Sequence, residues 1–386
     1  MLAKEDPIVK SHVFVDNVRY WSMLSIVAMH SLVIFGILGI KAPLLGMVLI
    51  TPFKFGTIGF FLISGFLMGG HLQSYQLKEY LERRIRRIFV PWLCWYSLMA
   101  LYIFAVDLLY LKHGLVFSVN GHTFLGKVLY TSMFGTALWF VPNLMLGLCV
   151  LLLFRNYLDD LRLGAGLLAI NLFYTVNIYG EWLPARHSEA LFGFVFYLWL
   201  GSYAARRYTR LTEWLSRTSM MTLATLAVLA AISAFCEARL LDHRGSVDST
   251  NTLRVTNQIF SIFVVLIFVK IRRVTWPRFV NVRRETFGLY LCHTILLDIV
   301  VRSVHVFFRR LPEGGIPAST VGRVLLWLMV FGVTYGLGLA VSRLMANLPA
   351  TQWLVGATPK AIKSGDGAPT EIVNEGDGAA LPLLLS

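Results

Sequence analysis

The chain has 386 residues, of which 56% are apolar and only 15% are charged, yet its formal net charge is +14. Soluble domains are about 45–50% apolar and about 25% charged, so this chain has too little charge to cover a water-exposed surface of its size. The composition therefore indicates an integral membrane protein. A nucleic-acid partner is not expected, because long apolar runs separate the basic residues instead of leaving them on one wet face.

The chain contains about ten apolar runs, each near the length of roughly 20 residues that crosses a bilayer core as a helix. The runs are continuously apolar, whereas the strands of a membrane barrel would alternate. The sequence therefore predicts an all-α, polytopic membrane protein with about ten transmembrane helices. The predicted helices lie near 21–40, 55–70, 91–111, 137–154, 163–180, 190–205, 219–236, 256–270, 286–302 and 321–343.

The positions of lysine and arginine predict the orientation, because basic loops resist translocation across the membrane. With a cytoplasmic N-terminus, the inner segments contain most of the 35 Lys and Arg residues, including the clusters at 83–87 and 270–284. The opposite orientation would carry both clusters across the bilayer. Both termini are therefore predicted to be cytoplasmic.

This topology divides the chain into a cytoplasmic N-terminal segment at 1–20, a transmembrane domain at 21–343 and a cytoplasmic tail at 344–386. The tail is expected to be largely disordered, since its end is rich in Gly, Ala, Pro and acidic residues. The first helix is expected to be retained, because no small-residue cleavage pattern follows it. The polar stretch at 237–255 predicts an outer loop.

The most informative pair in the sequence is Arg19, just before the first apolar run, and His30, within that run. Eleven residues make about three helical turns, so both side chains share a helix face and lie about 16 Å apart along its axis. The predicted topology places Arg19 at the inner surface and His30 near the middle of the bilayer, where an ionisable residue normally faces a polar cavity or a partner. In the alternative interpretation, His30 is a neutral packing residue and Arg19 only anchors the helix end.

The pattern of an arginine, ten residues and a histidine resembles the first-span signature of acyltransferase family 3. Four further segments resemble motifs of that family in the same order, and together they cover about residues 14–300. They are GFFLISGF at 59–66, YLERRIRRIFVPW at 80–92, LWFV at 138–141 and LYLCH at 289–293. The chain departs from the pattern at Tyr20 and Trp21, where small residues are usual, and at Lys54, near the start of the second span.

The resemblance implies a membrane O-acyltransferase of bacterial glycans, located in the inner membrane. Its donor would be a cytoplasmic acyl-CoA, expected to be acetyl-CoA, and its acceptor a hydroxyl group of a saccharide or glycolipid of the cell envelope. Acyl-CoA would act as a co-substrate, and no tightly bound cofactor is implied.

The resemblance also implies roles for individual residues. His30 would be the catalytic base or a transient carrier of the acyl group, and Arg19 would act with it. Arg19 and the inner-loop arginines would bind the donor phosphates, because guanidinium groups bind phosphate bidentately. The inner-loop arginines are Arg83, Arg84, Arg86 and Arg87. Topology alone also requires a basic inner loop, so these residues have an explanation that involves no ligand.

Three further residues are predicted to line a substrate site. His293 is expected at a depth similar to that of His30, Ser64 can donate a hydrogen bond to an oxyanion, and Trp139 can stack on a sugar ring. Each has a structural alternative. His293 can form hydrogen bonds between helices, Ser64 with Gly65 can allow close helix packing, and Trp139 can belong to an interfacial aromatic belt.

No metal site is predicted, because the four cysteines lie on separate spans without ligand spacing. The other histidines fall in predicted outer loops without a paired-ligand pattern, among them His113, His122, His187 and His243. The alternative function is a polytopic transporter or exporter of a glycan or its precursor, in which the intramembrane histidines line a substrate or proton path.

Overall fold

The structure is a computed structural model that describes residues 12–69, 77–112, 124–310, 317 and 319–357. All regular structure within these residues is helical, which confirms the all-α prediction. The α-helices are α1 (His12–His30), α2 (Val33–Ile37), α3 (Pro43–Ile50), α4 (Gly56–Gly69), α5 (Leu77–Arg84), α6 (Val90–Lys112), α7 (Phe124–Phe134), α8 (Phe140–Leu153), α9 (Leu161–Gly180), α10 (Val195–Arg206), α11 (Tyr208–Arg217), α12 (Met220–His243), α13 (Val255–Lys270), α14 (Val282–Arg309) and α15 (Thr320–Asn347). The regular structure also includes six short helical turns, which are Thr51–Phe53, Ile85–Phe89, Ala137–Trp139, Arg155–Tyr157, His187–Glu189 and Gln352–Val355.

Seven stretches of the described chain are long and apolar enough to cross a membrane, and an eighth is obtained if α7 and α8, bent by 70°, form one span. The seven are Val13–Ile37, Pro43–Gly69, Lys78–Leu109, Leu161–Gly180, Met220–His243, Val282–Arg309 and Thr320–Asn347. The protein is thus multi-pass, but the predicted count of about ten spans is not confirmed. Both α10, with 12 residues, and α13, with 16, are shorter than a full span. The apolar composition of these segments predicts that helices are present, but it does not predict the residues at which turns end them.

α4 and α10 cross in close contact because glycine occupies both sides of the crossing. A Cβ atom on Gly65 would overlap the carbonyl oxygen of Leu198, and a Cβ atom on Gly201 would overlap that of Leu62. The aromatic rings of Phe61 and Phe194 stack nearby, with centroids 4.8 Å apart. Small residues that let two backbones approach are a common basis of helix association in membranes.

α1 and α14 lie side by side and run in the same direction. At one end, Arg283 Nε donates to Asp16 Oδ2 at 2.9 Å. At the other end, the ring centroids of His30 and His293 are 5.7 Å apart. We call these the arginine end and the histidine end of the helix pair. Because α1 begins at His12 rather than near residue 21, Arg19 lies inside the helix and His30 is its last residue.

The stretch 237–255 is folded rather than an open loop. α12 continues to His243, and the following turns pack back onto the bundle. Asn251 Nδ2 donates to the carbonyl oxygen of Ala185, and the fully buried Arg254 side chain donates to the carbonyl oxygens of Ala234 and Asn251. Asn251 and Arg254 thus supply hydrogen bonds to backbone groups, whereas Asp242, His243 and Arg244 in the same stretch are exposed, so polarity alone did not separate the two roles.

The end of the described chain packs beneath α6 and α14. α15 continues to Asn347, and the turn Gln352–Val355 places Val355 in a fully buried position. Trp95 Nε1 donates to the carbonyl oxygen of Leu354 at 3.0 Å. The first part of the predicted tail at 344–386 is therefore in contact with the bundle, and 358–386 lie outside the described residues.

We expect Gly65→Ala to destabilise the protein by about 1–3 kcal/mol, since its methyl group must displace backbone across the α4–α10 crossing. Gly166→Ala is the matched control. Gly166 lies within α9 with nothing near its missing Cβ, so alanine there should be neutral or slightly stabilising. Thermal unfolding of the two purified variants in detergent tests this, and equal melting temperatures would contradict it.

Candidate functional site

Two histidine rings face each other at the histidine end. His30 is the last residue of α1 and is partly exposed, whereas His293 lies within α14 and is fully buried. Their ring planes are tilted by 49°. The tyrosine one turn earlier on α14, Tyr290, has its ring centroid 6.0 Å from that of His293, and its hydroxyl donates to the carbonyl oxygen of Ala137 at 2.7 Å.

The hydrogen bonds of His293 define its tautomer. His293 Nδ1 lies 2.6 Å from the carbonyl oxygen of Tyr290, and a carbonyl oxygen only accepts, so Nδ1 carries the hydrogen. In the neutral ring, Nε2 then has a free lone pair. No hydrogen-bond partner for this atom is found among the described residues. A buried proton acceptor thus remains unsatisfied beside His30, which is unusual for a purely structural histidine.

A cleft runs along the α1–α14 pair from the arginine end toward the histidine end, and neither His30 nor His293 lines it. Its outline holds about 590 Å³ that no atom occupies, part of which is open to the surroundings, and most of its lining is apolar. Arg19 and Arg283 lie at the arginine end, and Tyr290, which contacts His293, lies toward the histidine end. The cleft is lined by Arg19, Phe60, Ile63, Ser64, Leu67, Ile88, Phe140, Val141, Leu144, Arg283, Thr286, Phe287 and Tyr290.

One carboxylate holds the two arginines of the cleft. Asp16 Oδ1 accepts from Arg19 Nη1 at 3.1 Å, and Asp16 Oδ2 accepts from Arg283 Nε at 2.9 Å. Asp16 and Arg19 are both buried. Two guanidinium groups on one carboxylate leave a net positive charge at this end, which suits an anionic group such as a phosphate.

The arginine cluster at 83–87 lies next to the cleft and does not line it. Arg84 is buried, with its guanidinium 5.1 Å from the centre of the Tyr80 ring, and its Nε and Nη2 have no hydrogen-bond partner among the described residues. Arg83 is half-buried, and Arg86 and Arg87 are exposed. The nearest cleft residue in this segment is Ile88, one turn beyond Arg84.

Ser64 and Trp139 have different surroundings. Ser64 lines the cleft, while its neighbour Gly65 forms the close crossing with α10. Trp139 is buried and packs edge-to-face on His187, with centroids 5.4 Å apart. Its ring therefore belongs to the interior of the histidine end and not to an exposed aromatic belt.

Sequence reasoning missed a charged cluster close to His30. Lys54, His187 and His293 are near enough to His30 to interact with it electrostatically. His187 Nδ1 lies 2.7 Å from Asp248 Oδ2, and Lys54 also interacts with Asp248. Burial disfavours the Asp248 carboxylate, but the charges of His187 and Lys54 and the hydrogen bonds from His187 hold the pKa of Asp248 well below its usual range. The sequence feature that could have indicated this cluster was Lys54, a cation inside an apolar run.

Within the described ranges, no group of three histidine, cysteine or acidic residues is arranged to hold a metal ion. The four cysteines are all unpaired there.

We expect Asp16→Asn to destabilise the protein by roughly 3 kcal/mol or more, because it removes the buried carboxylate that pairs with the buried Arg19 and with the partly exposed Arg283. Asp159→Asn is the matched control. Asp159 also accepts from two arginines, Arg206 and Arg207, but its side chain is 51% exposed, so its loss should cost under about 1 kcal/mol. Melting temperatures in detergent provide the comparison, and a smaller effect at Asp16 than at Asp159 would refute it.

A family model described as an acyltransferase domain, that of acyltransferase family 3, matches residues 12–343. The match covers α1 through most of α15 and so includes the cleft and both of its ends. No curated protein and no solved structure shows significant similarity to the chain. With the family model matching most of its length, the chain belongs to acyltransferase family 3.

Proposed function

We propose that the protein transfers an acetyl or other short acyl group from a cytoplasmic acyl-CoA to a hydroxyl group of a cell-envelope saccharide or glycolipid. The acyltransferase family supports the reaction class. The observation that carries the proposal is the cleft along α1 and α14, with two guanidinium groups at one end and the contact toward two histidines at the other. In this proposal the membrane is the bacterial inner membrane and both termini are cytoplasmic.

The arginine end fits the donor. A CoA thioester combines phosphates with a long, largely uncharged arm, and the cleft combines Arg19 and Arg283 with an apolar lining. Arg84, buried one turn from the cleft residue Ile88, adds positive charge near the same end. The phosphates would bind at the arginine end, and the thioester would reach toward His30.

The histidine end fits the chemistry of acyl transfer. Transfer to a hydroxyl group needs a proton acceptor, a place for the acyl group and hydrogen-bond donors or cations for the oxyanion. His30 would either take the hydroxyl proton or carry the acyl group on its ring. His293 Nε2, an unsatisfied acceptor beside His30, can receive an N–H hydrogen bond from it and so fix which His30 nitrogen presents its lone pair. Ser64 in the cleft and the cation Lys54 are candidates for stabilising the oxyanion.

A glycan transporter is the alternative function. It would use the same buried histidines for a substrate or proton path but would not cleave a thioester. Release of free CoA thiol from acetyl-CoA by the purified protein, in liposomes that contain envelope extract, separates the two. The family match favours the acyltransferase.

We expect His30→Ala to lower acyl transfer by about 10²–10⁴-fold, the usual contribution of a positioned base. His243→Ala is the control, since His243 is an exposed histidine at the end of α12. Both variants should be produced at normal levels. Mass spectrometry of the glycans from cells carrying each variant gives the readout, and wild-type acylation by His30→Ala would overturn the role of His30.

We expect loss of the arginine fork to weaken donor binding. Arg19→Lys keeps a positive charge beside Asp16 but loses the bidentate geometry, and it should raise the KM for acetyl-CoA by roughly 10-fold or more, as for loss of a hydrogen bond to a charged group. Arg84→Ala should raise this KM as well, whereas Arg86→Ala, at an exposed position, should not. Saturation kinetics with acetyl-CoA give the values, and an unchanged KM for Arg19→Lys would exclude Arg19 from donor binding.

A further inference from the structure

His187 and Asp248 form a dyad with a defined tautomer. Asp248 Oδ2 accepts from His187 Nδ1 at 2.7 Å and from the His187 backbone N–H at 3.3 Å. Because a carboxylate only accepts, Nδ1 carries the hydrogen, and the lone pair of the neutral ring is on Nε2. A carboxylate that orients an imidazole in this way is the arrangement by which enzymes prepare a histidine as a general base. The two residues are 61 positions apart in sequence and meet only in the folded chain.

The dyad lies beside the proposed reaction centre. The His187 ring packs edge-to-face on Trp139, and Phe140, next in sequence, lines the cleft. His187 and Lys54 both interact electrostatically with His30. The side chains of His187 and Asp248 are 20% and 14% exposed, so the dyad is open on one side and buried on the other. His30 is also partly exposed.

We propose that His187, oriented by Asp248, is the general base that activates the acceptor hydroxyl group, and that His30 carries the acyl group. This inference rests on the proposed function, because it assigns a role within the same acyl transfer. His187 would be a catalytic residue, and Asp248 a positioning residue that acts through it. Lys54, buried and near both Asp248 and His30, would stabilise the negative charge that develops on the acyl oxygen.

In the proposed reaction, the acyl group moves first to His30 and then to the acceptor. In the first step, a neutral His30 nitrogen bonds to the thioester carbon, the carbon–sulfur bond breaks, and CoA leaves as a thiolate with the electron pair, which leaves a positively charged acyl-imidazolium on His30. In the second step, the acceptor oxygen bonds to the acyl carbon, the carbon–nitrogen bond breaks, and its electron pair returns to His30, which becomes neutral again. The hydroxyl proton passes to His187 Nε2 and then to solvent on the exposed side of the ring.

Such a division of labour explains why the site contains two separate kinds of histidine. His30 and His293 face each other near the cleft, where the donor would be, while His187 is tied to a carboxylate and partly exposed. To attack the thioester carbon, His30 needs a neutral ring with a free lone pair. A base that must become an imidazolium benefits from the adjacent Asp248 carboxylate.

The experiment separates acylation of the protein from discharge to the acceptor. Protein in liposomes is mixed with radiolabelled acetyl-CoA, and label bound to protein is measured after a single turnover. The labelled protein is then offered either envelope membranes from cells that lack this protein, as the hydroxyl acceptor, or hydroxylamine, a nucleophile that attacks acyl groups without a base. The variants are His187→Gln and Asp248→Asn, with His243→Gln as the control at an exposed histidine.

We expect His187→Gln to acquire label to the wild-type extent, to pass it to envelope membranes at least about 100-fold more slowly, and to lose it to hydroxylamine at the wild-type rate. Asp248→Asn should show the same pattern with a smaller slowing, and Asp248→Glu should restore part of the rate. His243→Gln should match the wild type throughout. A purely structural role of the ion pair would instead impair acylation and discharge together.

Three results would overturn the inference. If His187→Gln discharges to membranes at the wild-type rate, His187 is not the base. If the wild type acylates membranes from acetyl-CoA without itself carrying label, the carrier step is wrong while the proposed function stands. If the wild type neither releases CoA nor acylates membranes, the proposed function fails and the inference fails with it.

Discussion

The ion pairs of Asp16 with Arg19 and Arg283 hold α1 and α14 in register, and the site depends on that register. A guanidinium group buried in a membrane protein is costly unless a counter-charge accompanies it, so one carboxylate between two arginines leaves few alternative alignments of the two helices. His30 follows Arg19 by about 16 Å along α1, and His293 follows Arg283 by about 15 Å along α14. Because the helices are parallel, fixing the arginine end brings the two histidines into contact at the other end.

Polar side chains near the histidine end are also paired with a partner. Arg254 is fully buried and binds backbone carbonyl oxygens, Asn251 binds the Ala185 carbonyl, and Asp248 binds His187. The Asn251 and Asp248 contacts tie the segment after α12 to the segment after α9, and the Arg254 contacts tie it to α12. They also explain why His187 has a fixed position although it lies in a short turn between helices. The segment whose contacts hold the backbone together thus also contains Asp248, which orients the His187 side chain near His30.

The sequence predicted the helical architecture and the first-helix pair because both depend on local periodicity. The spacing of Arg19 and His30 predicted that they share a face of one helix. In the structure, α14 packs beside α1 through the Asp16–Arg283 pair at one end and through His30 and His293 at the other. The number of spans was not predictable in this way, since α10 and α13 are as apolar as full spans but end sooner. The cluster of Lys54, His187 and Asp248 was not predictable either, because its members lie in three separate segments. Arg84 differs from Arg86 and Arg87 only through the turn at Ile85–Phe89, which spacing does not reveal.

If the protein acts as proposed, its phosphate-bearing donor and its extracytoplasmic acceptor would not share a compartment, and a cleft whose chemistry differs along its length would address that difficulty. Under the proposed function, the apolar lining between Arg19 and Tyr290 would keep water from the thioester, so that hydrolysis does not compete with transfer. The positive charge at the arginine end would hold the phosphates on one side. Only the acyl group would then have to reach His30, a distance that one extended donor arm can cover without movement of either helix. His30 and His187, both partly exposed, would receive the acceptor, so that transfer would take place at the histidine end, beyond the Tyr290 end of the cleft.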